Sequence, residues 1–295
     1  MLMDVQGGSN VALITPMTPQ LEVDYDALEK LLEWHVESNT NGIVILGTTG
    51  EGSTITMEER TKIIQTSVSC VGGRIPIIVG TGTVDPVNVL ELTKNAKENG
   101  ADASLIITPY YVKPPQRALI KHFTFLADAV SLPMILYNCP GRTGIDMSIE
   151  TIETISKHTG IIGVKDASGD LNRVKPMREL VGNDFLMYSG EDDQGCEFVT
   201  RGGDGVISVT ANVCPALESQ MLALAKTGNT AAAEEINKIL VPVHKNMFIE
   251  SNPIPAKAAL RMMGRVNTGI RAPLCELDPS CEAVVRDALK AAGAL

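Results

Sequence analysis

Ile43-Val44-Ile45-Leu46, followed by Gly47-Thr48-Thr49-Gly50-Glu51-Gly52-Ser53 and then by Thr56-Met57-Glu58-Glu59, decides the fold of this chain. The first four residues are an unbroken apolar, β-branched run, the mark of a strand covered on both faces. The glycine-rich stretch reads as a turn. Thr56, with Glu59 three residues on, makes a capping box at the start of a helix. Along that helix Ile63, Ile64, Ser67, Val68 and Val71 fall on one stripe. Strand, turn and helix form the local unit.

The same unit recurs in both directions. Val11 to Ile14, Ile75 to Val79, Ser104 to Ile107, Met134 to Tyr137, Ile161 to Lys165, Phe185 to Tyr188 and Val206 to Val209 bring the strands to eight, each followed by an amphipathic segment. In the first of these segments Leu28, Leu31, Leu32, His35 and Val36 share a face, and Asp85-Pro86 places a capping carboxylate before a first-turn proline. Eight such units with right-handed crossovers close into an α/β, (β/α)8 TIM barrel. The competing open, doubly wound sheet normally carries G-x-G-x-x-G after its first strand, where this chain has Thr15-Pro16-Met17-Thr18-Pro19. From about Pro215 the sequence turns alanine-rich and helical, with breaks at Thr227-Gly228-Asn229 and Asn252-Pro253. We expect a barrel with the active site over 1–226 and a C-terminal helical extension over 227–295, packed on the barrel without a flexible linker.

Composition narrows the function. Of the 295 residues, 44% are hydrophobic and 20% charged, so a large core is available to a globular protein. The net charge of −10, with its basic residues scattered, argues against a nucleic-acid partner. No apolar run is long enough for a membrane span and the N-terminus has no basic head before an apolar stretch, so a cytoplasmic address is expected. Six cysteines without C-x-x-C and four histidines without paired spacing read as reduced thiols and structural or surface imidazoles, not metal ligands.

In a barrel of this kind the chemistry sits where strands end. Lys165 closes the run Ile161-Ile162-Gly163-Val164 and by alternation should point inward with Gly163 and Ile161. Burial there would favour the neutral amine, a nucleophile for carbonyl carbon. The other reading is that Lys165 snorkels, or pairs with a carboxylate such as Asp166 or Glu51. Gly47 to Ser53 is either a tight turn or a cradle for a small carboxylate; it lacks the Gly-Lys-Ser/Thr of a phosphate loop. Tyr137, ending the neighbouring strand, either relays protons or fills core volume. Arg142, in a loop shaped by proline and glycine, either binds a second substrate's carboxylate or pairs with a nearby acid.

Taken in order, Ala12-Leu13-Ile14-Thr15-Pro16, Gly47-Thr48-Thr49-Gly50-Glu51, Thr108-Pro109-Tyr110-Tyr111, Ile135-Leu136-Tyr137-Asn138, Gly163-Val164-Lys165-Asp166, Gly205-Val206-Ile207-Ser208-Val209-Thr210-Ala211-Asn212 and Asn252-Pro253-Ile254-Pro255-Ala256-Lys257 are specific. Over nearly its whole length the chain resembles the dihydrodipicolinate synthase family, within the pyruvate-dependent Schiff-base aldolase superfamily that includes N-acetylneuraminate lyase. The resemblance implies condensation of pyruvate with aspartate semialdehyde, the first committed chemistry of diaminopimelate and lysine formation. It implies that Lys165 forms the Schiff base, that Thr48, Tyr137 and Tyr111 relay protons, and that Thr49 with its neighbouring N–H holds the pyruvate carboxylate. Arg142 would take the semialdehyde's carboxylate, and Gly190 and Ile207 would line the pocket through main-chain groups. Tyr111 would reach into a neighbouring subunit, implying a homodimer or a dimer of dimers, a homotetramer. No metal or organic cofactor is expected, because the iminium itself acidifies pyruvate's methyl protons.

Lysine-inhibited members tend to carry histidine where this chain has Arg60, and asparagine and glutamate where it has Val84 and Asn88; weak or absent lysine feedback is expected. Cys139, beside Tyr137, is expected to be an inert wall residue. Three other functions are open to the sequence: another pyruvate lyase acting on a sugar acid, a metal-dependent barrel aldolase, and a non-catalytic keto-acid sensor.

Overall fold

The computed structural model describes residues 3–295; residues 1 and 2, where the expected barrel region 1–226 begins, lie outside it. In chain order the elements are β1 (Gly8–Ala12), α1 (Tyr25–Glu37), β2 (Gly42–Ile45), α2 (Met57–Val71), β3 (Ile77–Gly80), α3 (Pro86–Glu98) and β4 (Ala103–Ile107). Then follow α4 (Gln116–Ala129), β5 (Met134–Asn138), the short α5 (Pro140–Thr143), α6 (Ile149–Ser156), β6 (Ile161–Asp166), α7 (Val174–Val181), β7 (Leu186–Ser189), α8 (Gly195–Thr200), β8 (Gly205–Ser208) and α9 (Pro215–Lys226). Helices α10 (Thr230–Asn246), α11 (Ile254–Met262) and α12 (Pro279–Ala291) complete the chain. The eight strands form one closed parallel barrel in sequence order, β1 pairing with both β2 and β8. This is a (β/α)8 barrel with a C-terminal helical part. Among the described residues no helix is long and apolar enough to cross a membrane.

The local signals are realised as atoms. Thr56 Oγ1 accepts from Glu59 N at 3.2 Å while Glu59 Oε2 accepts from Thr56 N at 3.0 Å, which starts α2. Asp24 and Asp85 cap α1 and α3 through their side chains. Each cap is worth about 1 kcal/mol to its helix. The stripes Leu28, Leu31, Leu32, His35 and Ile63, Ile64, Ser67, Val71 are buried against the barrel.

Two strands begin more than one residue away from the start of their apolar runs. β1 starts at Gly8, because Ser9 and Asn10, though polar, pair in register with β8. β3 starts at Ile77 and not Ile75, since Pro76 has no N–H to give and contributes only its carbonyl, to Ile43 N at 3.0 Å. After Pro215 the helices break where expected and once more, across 263–278, where Pro273 cannot donate to a helix. Helix α10 packs on α9, α8 and α12, and one apolar cluster runs continuously from the outer faces of β1 to β3 into these helices.

Inside the barrel lie Ala12, Val44, Ile78, Ala103, Leu105, Ile135, Tyr188 and Ile207. Tyr188 is the largest fully buried side chain, and its hydroxyl donates to Gln6 O at 2.7 Å, so the N-terminal segment and this phenol close the lower end. The upper end, where the strands finish, stays available for chemistry.

Candidate active site

Strand β6 sits between β5 and β7, with Lys165 in register with Tyr137 on one side and Tyr188 on the other. Its inward face departs from simple alternation. The ladder slips between Met134 and Ile135, so Ile162 becomes an extra residue and joins the interior cluster, whereas Ile161 packs outward under the helices. The expectation that Ile161 faces inward is therefore corrected; from Gly163 onward the register is regular.

Lys165 is only 5% exposed, and its Nζ lies 4.5 Å from the centre of the Tyr137 ring. A side chain at Gly190 would meet Ala167 Cβ at 2.6 Å and Lys165 Cε at 3.0 Å; glycine is what leaves the lysine its room. Neither carboxylate weighed as its partner takes that role. Asp166 is held by Arg173 Nε at 2.8 Å and Asn138 Nδ2 at 3.0 Å, and Glu51 is buried against Lys257. Burial lowers the Lys165 pKa; Cys139, Asp192 and Glu191 pull it back up, and Arg142 adds to the lowering. A buried amine with no ion pair among the described residues, shifted toward its neutral form, is equipped for nucleophilic attack.

Burial also raises the Tyr137 phenol well above its ordinary value, with Cys139 next in effect, so the group keeps its proton at neutral pH and can donate it. Cys139 is buried in the wall beside it. Arg142 sits on α5, exposed, and its charge bears on Lys165, Tyr137 and Glu191. The loop that carries it is anchored from below. Asn138 Nδ2 donates to Asp146 Oδ1 at 2.6 Å, Met147 N donates to Asn138 Oδ1 at 2.9 Å, and Arg173 Nη2 donates to Met147 O at 2.7 Å.

The threonine loop is held from behind by residues two hundred positions away. Leu46 and Glu51 both have left-handed backbones, at φ 58° and 53°, and a side chain at Gly52 would collide with Leu46 O. Thr49 is buried and its Oγ1 accepts from Asn252 Nδ2 at 2.9 Å, so the hydroxyl proton remains to be given to a bound carboxylate. Glu51 takes Lys257 on one oxygen and Arg271 N on the other, the latter at 3.0 Å. Arg60, also buried, donates to Gly80 O at 2.9 Å and Gly52 O at 3.3 Å, clamping the loop to the end of β3. Thr48 stands exposed at the tip.

The structure thus gathers Lys165, Tyr137, Gly190 and the charge of Arg142, with the Thr48–Thr49 loop on the same strand-end face and Ile207 fully buried in the barrel interior. Tyr111 stands apart: it is 90% exposed, on a left-handed backbone with φ 70°. Glu191, half-buried and raised by burial while Lys165 pulls it down, belongs to the site; the sequence places it just past the end of the seventh strand but assigns it no role. Asn252, Lys257 and Arg271 were likewise unmarked as supports, their partners being too distant in sequence for any local pattern.

The chain is similar to known proteins over nearly its whole length. Residues 6–292 match the profile of the Dihydrodipicolinate synthetase family. The 4-hydroxy-tetrahydrodipicolinate synthase of Pseudomonas aeruginosa is 50% identical over 288 residues, which is 98% of this chain and 99% of that protein. The crystal structure of the chloride-inhibited dihydrodipicolinate synthase of Acinetobacter baumannii complexed with pyruvate is similar at a TM-score of 0.97 and 46% identity, covering 99% of this chain and 100% of that one. The lysine-bound enzyme of Cyanidioschyzon merolae is similar at a TM-score of 0.95 and 36% identity, covering 99% of this chain and 100% of that one.

Proposed function

The chain belongs to the dihydrodipicolinate synthetase family, and on that premise we propose that Lys165 captures pyruvate as an imine whose enamine attacks aspartate semialdehyde. The reaction is lyase-type and gives 4-hydroxy-tetrahydrodipicolinate for diaminopimelate and lysine biosynthesis. One observation carries the assignment to Lys165: a lysine 5% exposed, with no ionic partner among the described residues, lies over the Tyr137 ring at the end of β6.

The proposed steps use these groups in turn. The neutral Nζ adds to the ketone carbon, and Tyr137, with Thr48 and the partner's Tyr111, passes protons so that the carbinolamine oxygen leaves as water. Thr49 and the adjoining N–H hold the carboxylate at that carbon. The iminium acidifies the methyl group, a proton is lost, and the enamine carbon bonds to the aldehyde carbon. Arg142 fixes the aldehyde by its carboxylate, while Gly190 and Ile207 offer main-chain groups to the pocket. The semialdehyde's own amine can then displace Lys165, closing a ring and freeing the enzyme. In this reading the 90% exposure of Tyr111 is resolved in a homodimer, alone or doubled into a tetramer, working in the cytoplasm.

Borohydride reduction in the presence of pyruvate tests it. The chain should gain the mass of one reduced pyruvate adduct on the peptide containing Lys165, and the Lys165→Ala chain should gain none. An adduct on another peptide, or none on the unsubstituted chain, rejects the assignment.

Weak or absent inhibition by lysine follows from Arg60, whose burial lowers its pKa only to about 10, so that it stays charged at neutral pH. A bound lysine would face that charge and find no carboxylate at the exposed Asn88 or at Val84. Millimolar lysine should leave more than half of the initial rate.

A further inference from the structure

Strands β5 and β6 end side by side, with Tyr137 in register with Lys165 and Asn138 in register with Asp166. Consecutive strand residues face opposite ways, so the first pair serves the barrel mouth and the second lies on the other face of the same two strands. The second pair is buried and bonded across the ladder, Asn138 Nδ2 donating to Asp166 Oδ1 at 3.0 Å. The other proton of that amide goes to Asp146 Oδ1 at 2.6 Å, and Asn138 Oδ1 accepts from Met147 N at 2.9 Å. One side chain at the start of the Arg142 loop thus holds the residues at its end, and the segment between them, 139–145, is closed at its neck.

The neck brings two carboxylates onto one amide, and a cation is needed to keep both there. Arg173, just ahead of α7, supplies it. Its Nε donates to Asp166 Oδ2 at 2.8 Å, its Nη1 to Asp146 Oδ2 at 3.4 Å and its Nη2 to Met147 O at 2.7 Å. The planar guanidinium meets three acceptors on two segments at once, a geometry that an ammonium does not reproduce. The side chains of this network are unequally exposed: Asp166 at 5% and Arg173 at 12% are enclosed, whereas Asp146 at 48% borders solvent. Without the guanidinium, Asp146 is the acid that can turn out to water, and its release opens the neck. Gln116 at the start of α4 holds Asp146 O and Ser148 N separately, at 2.7 and 3.1 Å, so the chain beyond the neck stays in place.

We propose that Arg173, through Asp166, Asn138 and Asp146, is a positioning residue for the second substrate: it sets where Arg142 stands relative to Lys165, and so how well a carboxylate-bearing aldehyde meets the enamine. The inference rests on the assignment of Arg142 to the semialdehyde's carboxylate. It also gives a role to the acid that follows Lys165 in the chain. Asp166 is not the lysine's counter-ion because both its oxygens are engaged, one by Asn138 Nδ2 and Ser168 N and the other by Arg173.

Steady-state kinetics combined with borohydride trapping tests it. Arg173→Lys should lower kcat/KM for aspartate semialdehyde about 10-fold, the effect of displacing a substrate-orienting group by a fraction of an ångström. In the same variant KM for pyruvate and the rate of pyruvate trapping on Lys165 should stay within about 2-fold of the unsubstituted chain. The loss should vanish when the substitution is made in Arg142→Ala, because a residue that acts through Arg142 then has nothing left to position. Asp146→Ala, at the half-exposed end of the network, keeps the buried Asp166–Arg173 pair and should give the same selective, non-additive loss; it serves in place of Arg173→Lys if that variant folds poorly. Equal losses for both substrates, losses that add to that of Arg142→Ala, or no loss in either variant overturn the proposal. Should Arg142→Ala itself leave kcat/KM for the semialdehyde unchanged, the reading of Arg142 falls and the inference with it. A fall in Arg142→Ala with Arg173→Lys and Asp146→Ala unaffected overturns the inference alone.

Discussion

Lys165 and Arg142 divide the proposed labour between the two substrates, and each can be probed without the other. Arg142 is exposed on a four-residue helix and has no acidic partner among the described residues, so its guanidinium stays solvated and available to a carboxylate. Arg142→Ala should reduce kcat/KM for aspartate semialdehyde by roughly 10–100-fold, the worth of a charged hydrogen-bond pair. Borohydride trapping of pyruvate on Lys165 should persist in the same variant. Loss of both would mean that Arg142 shapes the pocket and does not select the aldehyde. The lysine was legible in the sequence because a charge ending an apolar run conflicts with its surroundings. Its isolation was not, since only folding shows that Arg173 and Lys257 occupy the acids next in line.

At the scale of elements, the strands could be read because parallel strands covered on both faces must be continuously apolar, and the helices because their stripes must meet those strands. The slip at Ile162 could not, because a bulge is set by how two ladders meet and not by the residue's own character. The same limit hid the clasp of α11 and the residues just before it on the threonine loop: Asn252 with Thr49 and Lys257 with Glu51 are contacts across more than two hundred residues. Lys257→Met should strand Glu51 as a buried charge with only Arg271 N left to it, a loss of about 3–5 kcal/mol. Thermal unfolding would register this, and KM for pyruvate should rise as the loop loosens. Unfolding and KM both unchanged would show that the pair is dispensable.

For the whole molecule, the outstanding feature is a tyrosine that the isolated chain leaves almost bare, on a left-handed backbone beside exposed Val112. Sequence alone gave it a role only through resemblance. If Tyr111 serves a neighbouring site, chains carrying Lys165→Ala and chains carrying Tyr111→Phe should complement each other. A mixed dimer then has one site with both Lys165 and Tyr111, and activity should rise well above the sum of the two separate preparations after subunit exchange. No rise despite proven exchange would place Tyr111 outside the neighbour's chemistry.

Tyr188 and Gln6 make the barrel a blind-ended vessel, with arrivals and departures sharing one aperture. Such a container imposes a queue. The ketone must descend first to the amine at depth, and the aldehyde can only settle above it. An excess of aldehyde should therefore obstruct the descent, so initial rates ought to turn downward at high semialdehyde and recover as pyruvate is raised.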